Sequence, residues 1–446
     1  MFKVTMIGAG SVVFVKNLIT DILEFADLRD VTISLHDIDA ERLETAGMMA
    51  RWTAAQFGAR PKIEEHLDRR AALDGADFVI NMVQIGMHEA TLIDFDIPRK
   101  YGLKQTIADT LGIGGIFRGL RTIPFMTDLV GDMRELCPDA LLLNYTNPMS
   151  ILTQAVYEAF PEQKVVGLCH NVQNTSRDLA EYLGVSTDRV SYDCAGVNHM
   201  TWFLKLRVDG EDAYPRLRQA MDDPETFAKD KVRFELMRSF GWFISESSEH
   251  NAEYTPYFLK HDDQIAEYDV PVDDYIRRSV RNLDRYSETR RKLLAGEPFP
   301  LERSVEYGSL IIHAMVTGKP QVIYGNVRNT GLITNLPDDS CVEVPIVVDG
   351  NGLRPCHVGM LPPELAGYCA PHVYVQDLTV KAALTGDRDR VHRAAMLDRN
   401  TASVLSIKEI RAMVEELIAA HGDAMPTGIR PLGEASAPIL QEKRVA

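Results

Sequence analysis

Two short segments carry side chains that could bind a metal ion together. Cys169 and His170 stand in Gly-Leu-Cys-His-Asn-Val, and His199 ends Gly-Val-Asn-His about thirty residues later. A thiolate and an imidazole can hold a divalent cation and leave coordination positions open for water or substrate hydroxyls. Ligand softness alone favours zinc or iron over manganese. Taken singly, such a cysteine or histidine is more often a buried structural residue, so the hypothesis depends on the rest of the chain.

A glycine turn near the N terminus predicts a dinucleotide site. An apolar strand runs into Gly8-Ala-Gly10-Ser11, where glycines let a pyrophosphate approach the N terminus of the next helix. Val13 replaces the third glycine of the usual motif. Asp37 ends the second predicted strand, where its carboxylate would accept hydrogen bonds from the adenosine ribose and favour NAD over NADP. Its separation from the glycines is somewhat longer than the usual ~20 residues. The alternative is a glycine turn without a ligand.

Alternating strands and helices would position these residues. Short apolar segments that begin at Lys3, Val31, Asp77, Ala140 and Lys164 are separated by helical patterns. This alternation predicts an α/β fold with a Rossmann-like, doubly wound parallel sheet, as in lactate and malate dehydrogenases. Cys169 follows the last of these strands, at the edge where open α/β sheets bind ligands.

The pattern changes beyond about residue 200. A strand turns at Asp209-Gly210, residues from about 215 to 295 are mainly helical and charged, and strands follow near 320 and 342. Helices fill most of the last hundred residues, before a tail rich in Gly, Pro and Ala. We predict an NAD-binding domain over residues 1–195 and an α+β substrate and oligomerisation domain over residues 196–446.

Composition excludes two classes of partner. The chain of 446 residues has 64 acidic residues against 48 Lys and Arg, a formal charge of −16, and no basic stripe, so we expect no nucleic-acid binding. The sequence has no run of eighteen apolar residues, so we expect no membrane span. The six cysteines are scattered and include no Cys-x-x-Cys pair, which predicts reduced thiols and a cytoplasmic protein.

Longer motifs resemble those of the NAD- and metal-dependent glycoside hydrolases of family four. Seven motifs stand in the family's order from the N terminus to about residue 375: Gly8-Ala-Gly-Ser, Leu35-His-Asp-Ile-Asp, Gln105-Thr-Ile-Ala-Asp-Thr-Leu-Gly, Asn144-Tyr-Thr-Asn-Pro-Met, Gly167-Leu-Cys-His-Asn-Val-Gln with Ala195-Gly-Val-Asn-His-Met, Glu246-Ser-Ser-Glu-His-Asn-Ala-Glu-Tyr, and Asn329-Thr-Gly-Leu-Ile-Thr-Asn-Leu-Pro. The resemblance implies an unusual cleavage, outside the two-carboxylate scheme. In it, NAD takes hydride from C3 of the sugar, a base removes the C2 proton, the aglycone leaves C1, water adds, and the hydride returns.

The resemblance also implies roles for individual residues. Cys169 and His199 match the family's metal ligands, which usually hold manganese, so Mn²⁺ replaces zinc or iron as the expected ion. Tyr254 matches the base at C2, and a nearby cation would have to lower its pKa. His170 matches the position of the proton donor, for which imidazole is well suited, although a supporting role beside the metal is the alternative.

Three more residues are expected at the substrate. Asn147 matches a substrate-contacting asparagine of the family. Asp109 and Arg118 lie in a glycine-rich loop that we place after the third predicted strand, where they would cover cofactor and substrate.

The residues after Cys169 bear on the sugar. Members that cleave phosphorylated sugars carry Asn or Asp there, followed by Pro, whereas Cys-His-Asn-Val is similar to the Cys-His-Ser-Val of α-galactosidase members. We therefore expect an α-galactosidase for unphosphorylated α-galactosides. An α-glucosidase, an α-galacturonidase or a glucuronidase of the same family remains open because of Asn171, and a lactate- or malate-type dehydrogenase is the alternative from another class. The resemblance further implies a homodimer or homotetramer.

Overall fold

One mixed sheet of twelve strands runs through the computed structural model, which describes residues 2–431. The predicted Gly/Pro/Ala-rich tail lies almost wholly outside the described residues. The strands are β1 (Phe2–Ile7), β2 (Val31–His36), β3 (Lys62–His66), β4 (Phe78–Asn81), β5 (Leu141–Asn144), β6 (Val165–Gly167), β7 (Val190–Val197), β8 (Met200–Val208), β9 (Glu211–Asp212), β10 (Gln321–Arg328), β11 (Cys341–Asp349) and β12 (Gly352–Pro355).

Helices connect the strands and dominate both the middle of the second half and its end. They are α1 (Val12–Glu24), α2 (Ala40–Gln56), α3 (Arg69–Leu73), α4 (Met87–Lys100), α5 (Gly112–Leu136), α6 (Met149–Ala159), α7 (Asn171–Tyr182), α8 (Tyr214–Met221), α9 (Pro224–Ala228), α10 (Lys231–Phe240), α11 (Ser248–Glu253), α12 (Asp262–Glu267), α13 (Asp274–Leu294), α14 (Gly308–Thr317), α15 (Pro363–Thr385), α16 (Arg388–Leu397), α17 (Arg399–Val404) and α18 (Ile407–His421). Short 3₁₀ turns lie at Ala26–Leu28, Thr187–Arg189 and Gly422–Ala424.

The first half of the sheet is parallel, in the order β3-β2-β1-β4-β5-β6. Successive residues of its strands enter two apolar clusters: Phe78 and Ile80 pack with α1 and α2, whereas Val79 packs with α5 and α6. Successive side chains point to opposite faces of the sheet, and because both sets are buried, helices cover both faces. The predicted Rossmann-like, doubly wound sheet is confirmed. Strand β3, which is charged and lies at the edge, was not predicted.

The second half of the sheet is antiparallel and continues the first. Strand β10 pairs with β6 at Asn326 and Gly167, and the order then runs β11-β7-β8-β9, with β12 beside β11. The predicted hairpin at Asp209-Gly210 joins β8 to β9. Residue 195 lies inside β7, and the sheet is continuous on both sides of that strand. The division into domains at residue 195 stays a prediction. The α+β character of the second half is confirmed.

The helices and the cysteines bear on two expectations from the sequence, the absence of a membrane span and reduced thiols. None of the helices within residues 2–431 is long and apolar enough to cross a membrane. All six cysteines carry free thiols, and five of them are buried.

Candidate active site

A cavity of about 840 Å³ opens over the glycine turn between β1 and α1. All four predicted cofactor residues line it, namely Gly8, Gly10, Ser11 and Asp37. A Cβ atom on Gly10 would lie 2.5 Å from Asp37 Oδ2, and one on Gly8, whose φ is +86°, would lie 2.9 Å from Val83. Gly10 lets the turn approach Asp37 at the end of β2, and Gly8 lets it approach Val83 after β4. The cavity and its turn therefore fit a dinucleotide.

The carboxylate of Asp37 is buried at the end of β2. Its Oδ2 accepts the backbone N–H of Gly10 at 2.5 Å, and its Oδ1 accepts that of Asp39 at 3.0 Å. The guanidinium of Arg42 lies 4.3 Å from the ring centre of Tyr286, on α13, which also lines the cavity. Helix α13 was predicted as helical, but its position over the glycine turn gave no signal in the sequence.

Cys169, His199 and Glu246 form a compact group of metal-binding atoms. Cys169 Sγ lies 3.3 Å from His199 Nε2, and His199 Nε2 lies 3.5 Å from Glu246 Oε2. One ligand atom from each of the three residues lies within 4.8 Å of the others. Sulfur, imidazole nitrogen and carboxylate oxygen together suit a divalent cation. We name these three residues the ligand cluster. Glu246 was not predicted as a ligand, although it begins the sequence motif that ends at Tyr254.

The backbone is strained at two members of the ligand cluster. His199 has a φ of 65° and Glu246 a φ of 71°, both in the left-handed region. For a residue other than glycine, such a conformation costs on the order of 1–3 kcal/mol and is concentrated at functional sites. The placement of these two side chains therefore lowers the stability of the fold.

The protonation states of His199 and Glu246 in the ligand cluster suit the binding of a cation. Burial lowers the pKa of His199 to about 4, so its imidazole is neutral and able to bind a metal. Burial opposes ionisation of Glu246, but His199 and His250 outweigh it and lower the pKa of Glu246 to about 2. Burial, together with Glu246 and Glu343, raises the pKa of the Cys169 thiol. A bound divalent cation would be needed to hold that sulfur as a thiolate.

His170 joins the ligand cluster to the cofactor cavity. It follows Cys169 directly, precedes α7, and lines the cavity together with Glu306. Its Nδ1 lies 3.1 Å from Glu306 Oε1. Burial acts to lower the pKa of His170, but the carboxylate of Glu306 outweighs it and raises the pKa to about 9. His170 is thus held in the protonated form by a residue that the sequence did not reveal.

Tyr254 contacts the ligand cluster through Nδ1 of His199, the ring nitrogen that faces away from Cys169. Its hydroxyl is 2.9 Å from His199 Nδ1, and its side chain has no exposed surface. Burial raises the pKa of Tyr254 well above its usual value, and the carboxylates of Glu253, Asp109 and Glu246 add to this. The phenol therefore needs a cation at the cluster to act as a base, as the sequence already required.

The three predicted substrate residues lie together near the ligand cluster. Asn147 Nδ2 donates to Asp109 Oδ2 at 3.3 Å, and Arg118 Nε donates to the carbonyl oxygen of Asn147 at 3.1 Å. The Oδ1 atom of Asn147 is buried without a hydrogen-bond partner. An unpaired buried acceptor costs free energy and is common where a ligand supplies the missing donor. The placement of Arg118 in a loop was wrong: it lies in α5, whose first turn contains the glycines 112, 114 and 115.

A third histidine, His250, completes the charged surroundings of the cluster. Its Nδ1 lies 3.3 Å from Glu246 Oε1, and its Nε2 lies 3.7 Å from Asp109 Oδ1. Burial acts to lower the pKa of His250, but Glu246 and Asp109 outweigh it and raise the pKa to about 9. His250 is part of the quoted motif, but its contact with Asp109 joins residues that are far apart in sequence.

Glu253 holds the loop that carries Asp109. Its carboxylate accepts the backbone N–H groups of Thr106, Ile107 and Ala108 at 2.8, 3.1 and 2.9 Å. Ala108 has a φ of 54°, and the loop continues directly to Asp109. Three N–H donors on one buried carboxylate fix the path of this loop.

Comparison with known proteins agrees with this geometry. The family 4 glycosyl hydrolase model matches residues 3–185, and that of the family 4 glycosyl hydrolase C-terminal domain matches residues 194–401. An alpha-galactosidase of Bacillus subtilis (strain 168) is 46% identical over 430 residues, 96% of this chain and 99% of the relative. An alpha-galactosidase of Rhizobium meliloti (strain 1021) is 36% identical over 439 residues, 95% and 89% of the two chains.

A solved structure has the same fold over almost the whole chain. It is a 6-phospho-alpha-glucosidase from gut microorganisms in complex with NAD and Mn²⁺, which is 22% identical in sequence. The TM-score is 0.81, and the match covers 95% of this chain and 99% of that one. At this identity, the likeness shows the architecture alone.

Proposed function

The chain belongs to family 4 of the glycosyl hydrolases, and on that basis we propose that it is an α-galactosidase acting on unphosphorylated α-galactosides with bound NAD and Mn²⁺. Membership of the family makes the chain a glycoside hydrolase. The names of the two relatives described above support galactose as the sugar. The Cys-His start of the motif at Cys169 supports an unphosphorylated substrate.

One observation carries this proposal: the dinucleotide-sized cavity reaches His170, the chain neighbour of Cys169 in the ligand cluster. His170 lines the cavity, and the preceding residue, Cys169, is 3.3 Å from His199. Oxidation of a sugar carbon and polarisation of its oxygens require a cofactor and a cation to reach one substrate. When bound, NAD supplies hydride transfer and the metal ion supplies Lewis acidity toward sugar oxygens.

The residues around the cluster would carry the protons. Tyr254 is placed to take the C2 proton, because its oxygen lies beside the imidazole of His199. If Nε2 of His199 binds a cation, its proton must be on Nδ1, which then donates to the oxygen of Tyr254 at the 2.9 Å separation seen here. A hydrogen bond donated to the phenol oxygen favours the phenolate and so opposes the effect of burial.

His170 would protonate the departing glycosidic oxygen. Its imidazolium form is favoured by Glu306, and its side chain is half-exposed toward the cavity. General acid catalysis of this kind contributes roughly 10²–10⁴-fold. Asn147 and Asp109 would orient the sugar, since the free Oδ1 of Asn147 offers an acceptor to a sugar hydroxyl.

A panel of nitrophenyl glycosides tests the proposal. The purified protein is incubated with NAD⁺, Mn²⁺ and a reductant, and release of nitrophenol is followed for the α-galactoside, α-glucoside, α-galacturonide and α-galactoside 6-phosphate. We expect the unphosphorylated α-galactoside to have the highest kcat/KM, with no accumulation of NADH. A preference for the galacturonide, the glucoside or the phosphorylated sugar would contradict the sugar assignment. NADH formed in proportion to substrate without sugar release would contradict hydrolysis altogether and favour a lactate- or malate-type dehydrogenase.

Two broader expectations belong to the same proposal. We propose a cytoplasmic enzyme, in keeping with its free thiols, and a homodimer or homotetramer. Sedimentation velocity at micromolar concentration would give a monomer if the latter is wrong.

A further inference from the structure

A buried carboxylate with no direct part in the proposed reaction lies beneath the ligand cluster. Glu343, in β11, has no exposed surface. Its Oε2 accepts from Asn171 Nδ2 at 2.8 Å and from the hydroxyl of Thr201, and its Oε1 accepts from Asn326 Nδ2 at 3.2 Å. An ionised or neutral carboxyl group is stable at such depth only when its oxygens are bonded in this way.

The partners of Glu343 stand next to the cluster in the chain. Asn171 lies two residues after Cys169, and Thr201 lies two residues after His199. Ser245 precedes Glu246, and its hydroxyl accepts from both Asn171 Nδ2 at 3.0 Å and the backbone N–H of Thr201 at 3.1 Å. Each of the three ligand segments is thus bonded into one buried network.

A further contact fixes the start of the Cys169 segment. Asn326 Nδ2, besides its bond to Glu343, donates to the carbonyl oxygen of Gly167 at 3.3 Å. Asn326 also pairs with Gly167 in the sheet, at the seam between its parallel and antiparallel halves. The network therefore spans the seam as well as the three segments.

We propose that Glu343 is a positioning residue that holds Cys169, His199 and Glu246 at metal-binding distance. It bonds Asn171 and Thr201 directly and, through them, Ser245 beside Glu246. This inference rests on the proposed function in taking the ligand cluster as the metal site. His199 and Glu246 adopt left-handed backbone conformations that would relax without such support. Residues that orient the ligands of a metal usually matter to its affinity nearly as much as the ligands do.

The same network gives position 171 a role other than sugar recognition. The side chain of Asn171 is 1% exposed, and its Nδ2 donates to Ser245 and Glu343, beneath the ligand cluster. Asn171, in place of the serine of similar α-galactosidases, therefore supports the cluster from below. We expect its replacement to change metal binding rather than the choice among sugars.

Cobalt binding measures this role without any turnover. Co²⁺ is titrated into metal-free wild type and Glu343→Gln, and the thiolate-to-cobalt charge-transfer band and the d–d bands are recorded. We expect Glu343→Gln to raise the dissociation constant roughly 10- to 100-fold and to change the relative intensities of the d–d bands. The affinity for NAD⁺, followed by protein fluorescence, should stay unchanged. Asp398→Asn is the matched control, because Asp398 is equally buried and bonds only to the start of α17.

Two further variants keep the test decisive. Thr201→Val removes one donor while it preserves shape, so it reports on the network if Glu343→Gln fails to fold, and we expect a smaller loss of affinity in the same direction. Asn171→Ser should lower cobalt affinity and leave the ranking of the glycoside panel unchanged. Equal cobalt affinity in wild type, Glu343→Gln and Thr201→Val would overturn this inference alone. Absence of a charge-transfer band in the wild type would overturn the ligand assignment and, with it, the proposed function.

Discussion

Two groups able to move protons lie close to one ligand cluster, and their surroundings set them apart. His170 is held protonated by Glu306, whereas Tyr254 lies against the neutral imidazole of His199, whose tautomer a bound cation would fix. The pKa values of both groups are raised, so a cation at the cluster would be needed to lower that of Tyr254 and make it the base, with His170 as the acid.

Loss of His170 should affect substrates according to their leaving groups. We expect His170→Asn to lower kcat/KM for a melibiose-like disaccharide by roughly 10²–10⁴-fold. The nitrophenyl α-galactoside should lose far less, because nitrophenolate leaves without protonation. Steady-state kinetics on both substrates measure the difference. An equal loss on both would show that His170 supports the metal instead.

Loss of the cluster's thiol should abolish turnover without disturbing the cofactor. We expect Cys169→Ser to lose manganese affinity and activity together, since serine is a poor replacement for a thiolate ligand. The affinity for NAD⁺ should stay within error of the wild type. Cys356→Ser, at a partly exposed cysteine, is the control for general thiol effects. An active Cys169→Ser protein would exclude this thiol as a ligand.

At the scale of elements, two buried carboxylates join segments that are far apart in the sequence. Glu253 of α11 holds the backbone of the loop before α5. Asp94 of α4 pairs with Arg121 of α5 and with His421 of α18, at 2.6 and 2.9 Å. The first carboxylate fixes the loop that carries Asp109, and the second ties α4 to α5 and α18.

Glu253→Gln should loosen the loop that carries Asp109. The amide nitrogen of glutamine would face backbone N–H groups, and a buried donor left without a partner costs about 1–3 kcal/mol. We expect kcat/KM for the α-galactoside to fall about tenfold, as roughly 1.4 kcal/mol would produce, with NAD⁺ affinity unchanged. Glu249→Gln on the same helix is the control, because Glu249 forms a partly exposed pair with Arg278. A loss of equal size in both variants would contradict the role of Glu253.

Asp94→Asn should destabilise the protein strongly at neutral pH. All three members of this group are at most 3% exposed, and an unpaired buried Arg121 costs about 3–5 kcal/mol. Asp96→Asn, in an exposed pair on the same helix, should cost at most about 1 kcal/mol. Urea unfolding at pH 7 compares the two, and equal losses would contradict the pair's importance.

The difference between wild type and Asp94→Asn should also depend on pH. Burial acts to raise the pKa of Asp94, but Arg121 and His421 outweigh it and lower the pKa below its usual value. The stability gained from this ionisation is therefore complete above the unfolded-state pKa of about 4. It is lost as the pH falls through the folded-state pKa. The gap in unfolding free energy should narrow below about pH 4 and stay constant above it.

Local patterns in the sequence predicted the metal ligands of the site better than the residues that hold those ligands and the acid in place. Cys169 and His199 follow apolar strands in long motifs, so their types and spacing were readable. Glu306 and Glu343 act through contacts with residues more than a hundred positions away, His170 and Asn171. Neither is distinguished by its own neighbours in the chain. Strand β3, Lys-Ile-Glu-Glu-His, escaped prediction because an edge strand needs few apolar residues.

On the scale of the whole molecule, the seam of the sheet brings cofactor and metal chemistry together. Strands β1 to β6 form the dinucleotide half, and β10 continues the sheet beside β6, where Cys169 follows. His199 comes from the turn between β7 and β8 in the antiparallel half. A parallel sheet binds its ligands at the carboxyl ends of its strands, so a dinucleotide bound there would lie near His170, which follows Cys169 of the ligand cluster.

Hydrolysis in heavy water tests this account most directly. The α-galactoside is hydrolysed in D₂O, and the released galactose is examined by NMR. Proton removal at C2 by Tyr254 predicts deuterium at C2 of the product, and Tyr254→Phe should lose this exchange and its turnover while it keeps metal affinity. Galactose released at full rate with only hydrogen at C2 would contradict cleavage by elimination.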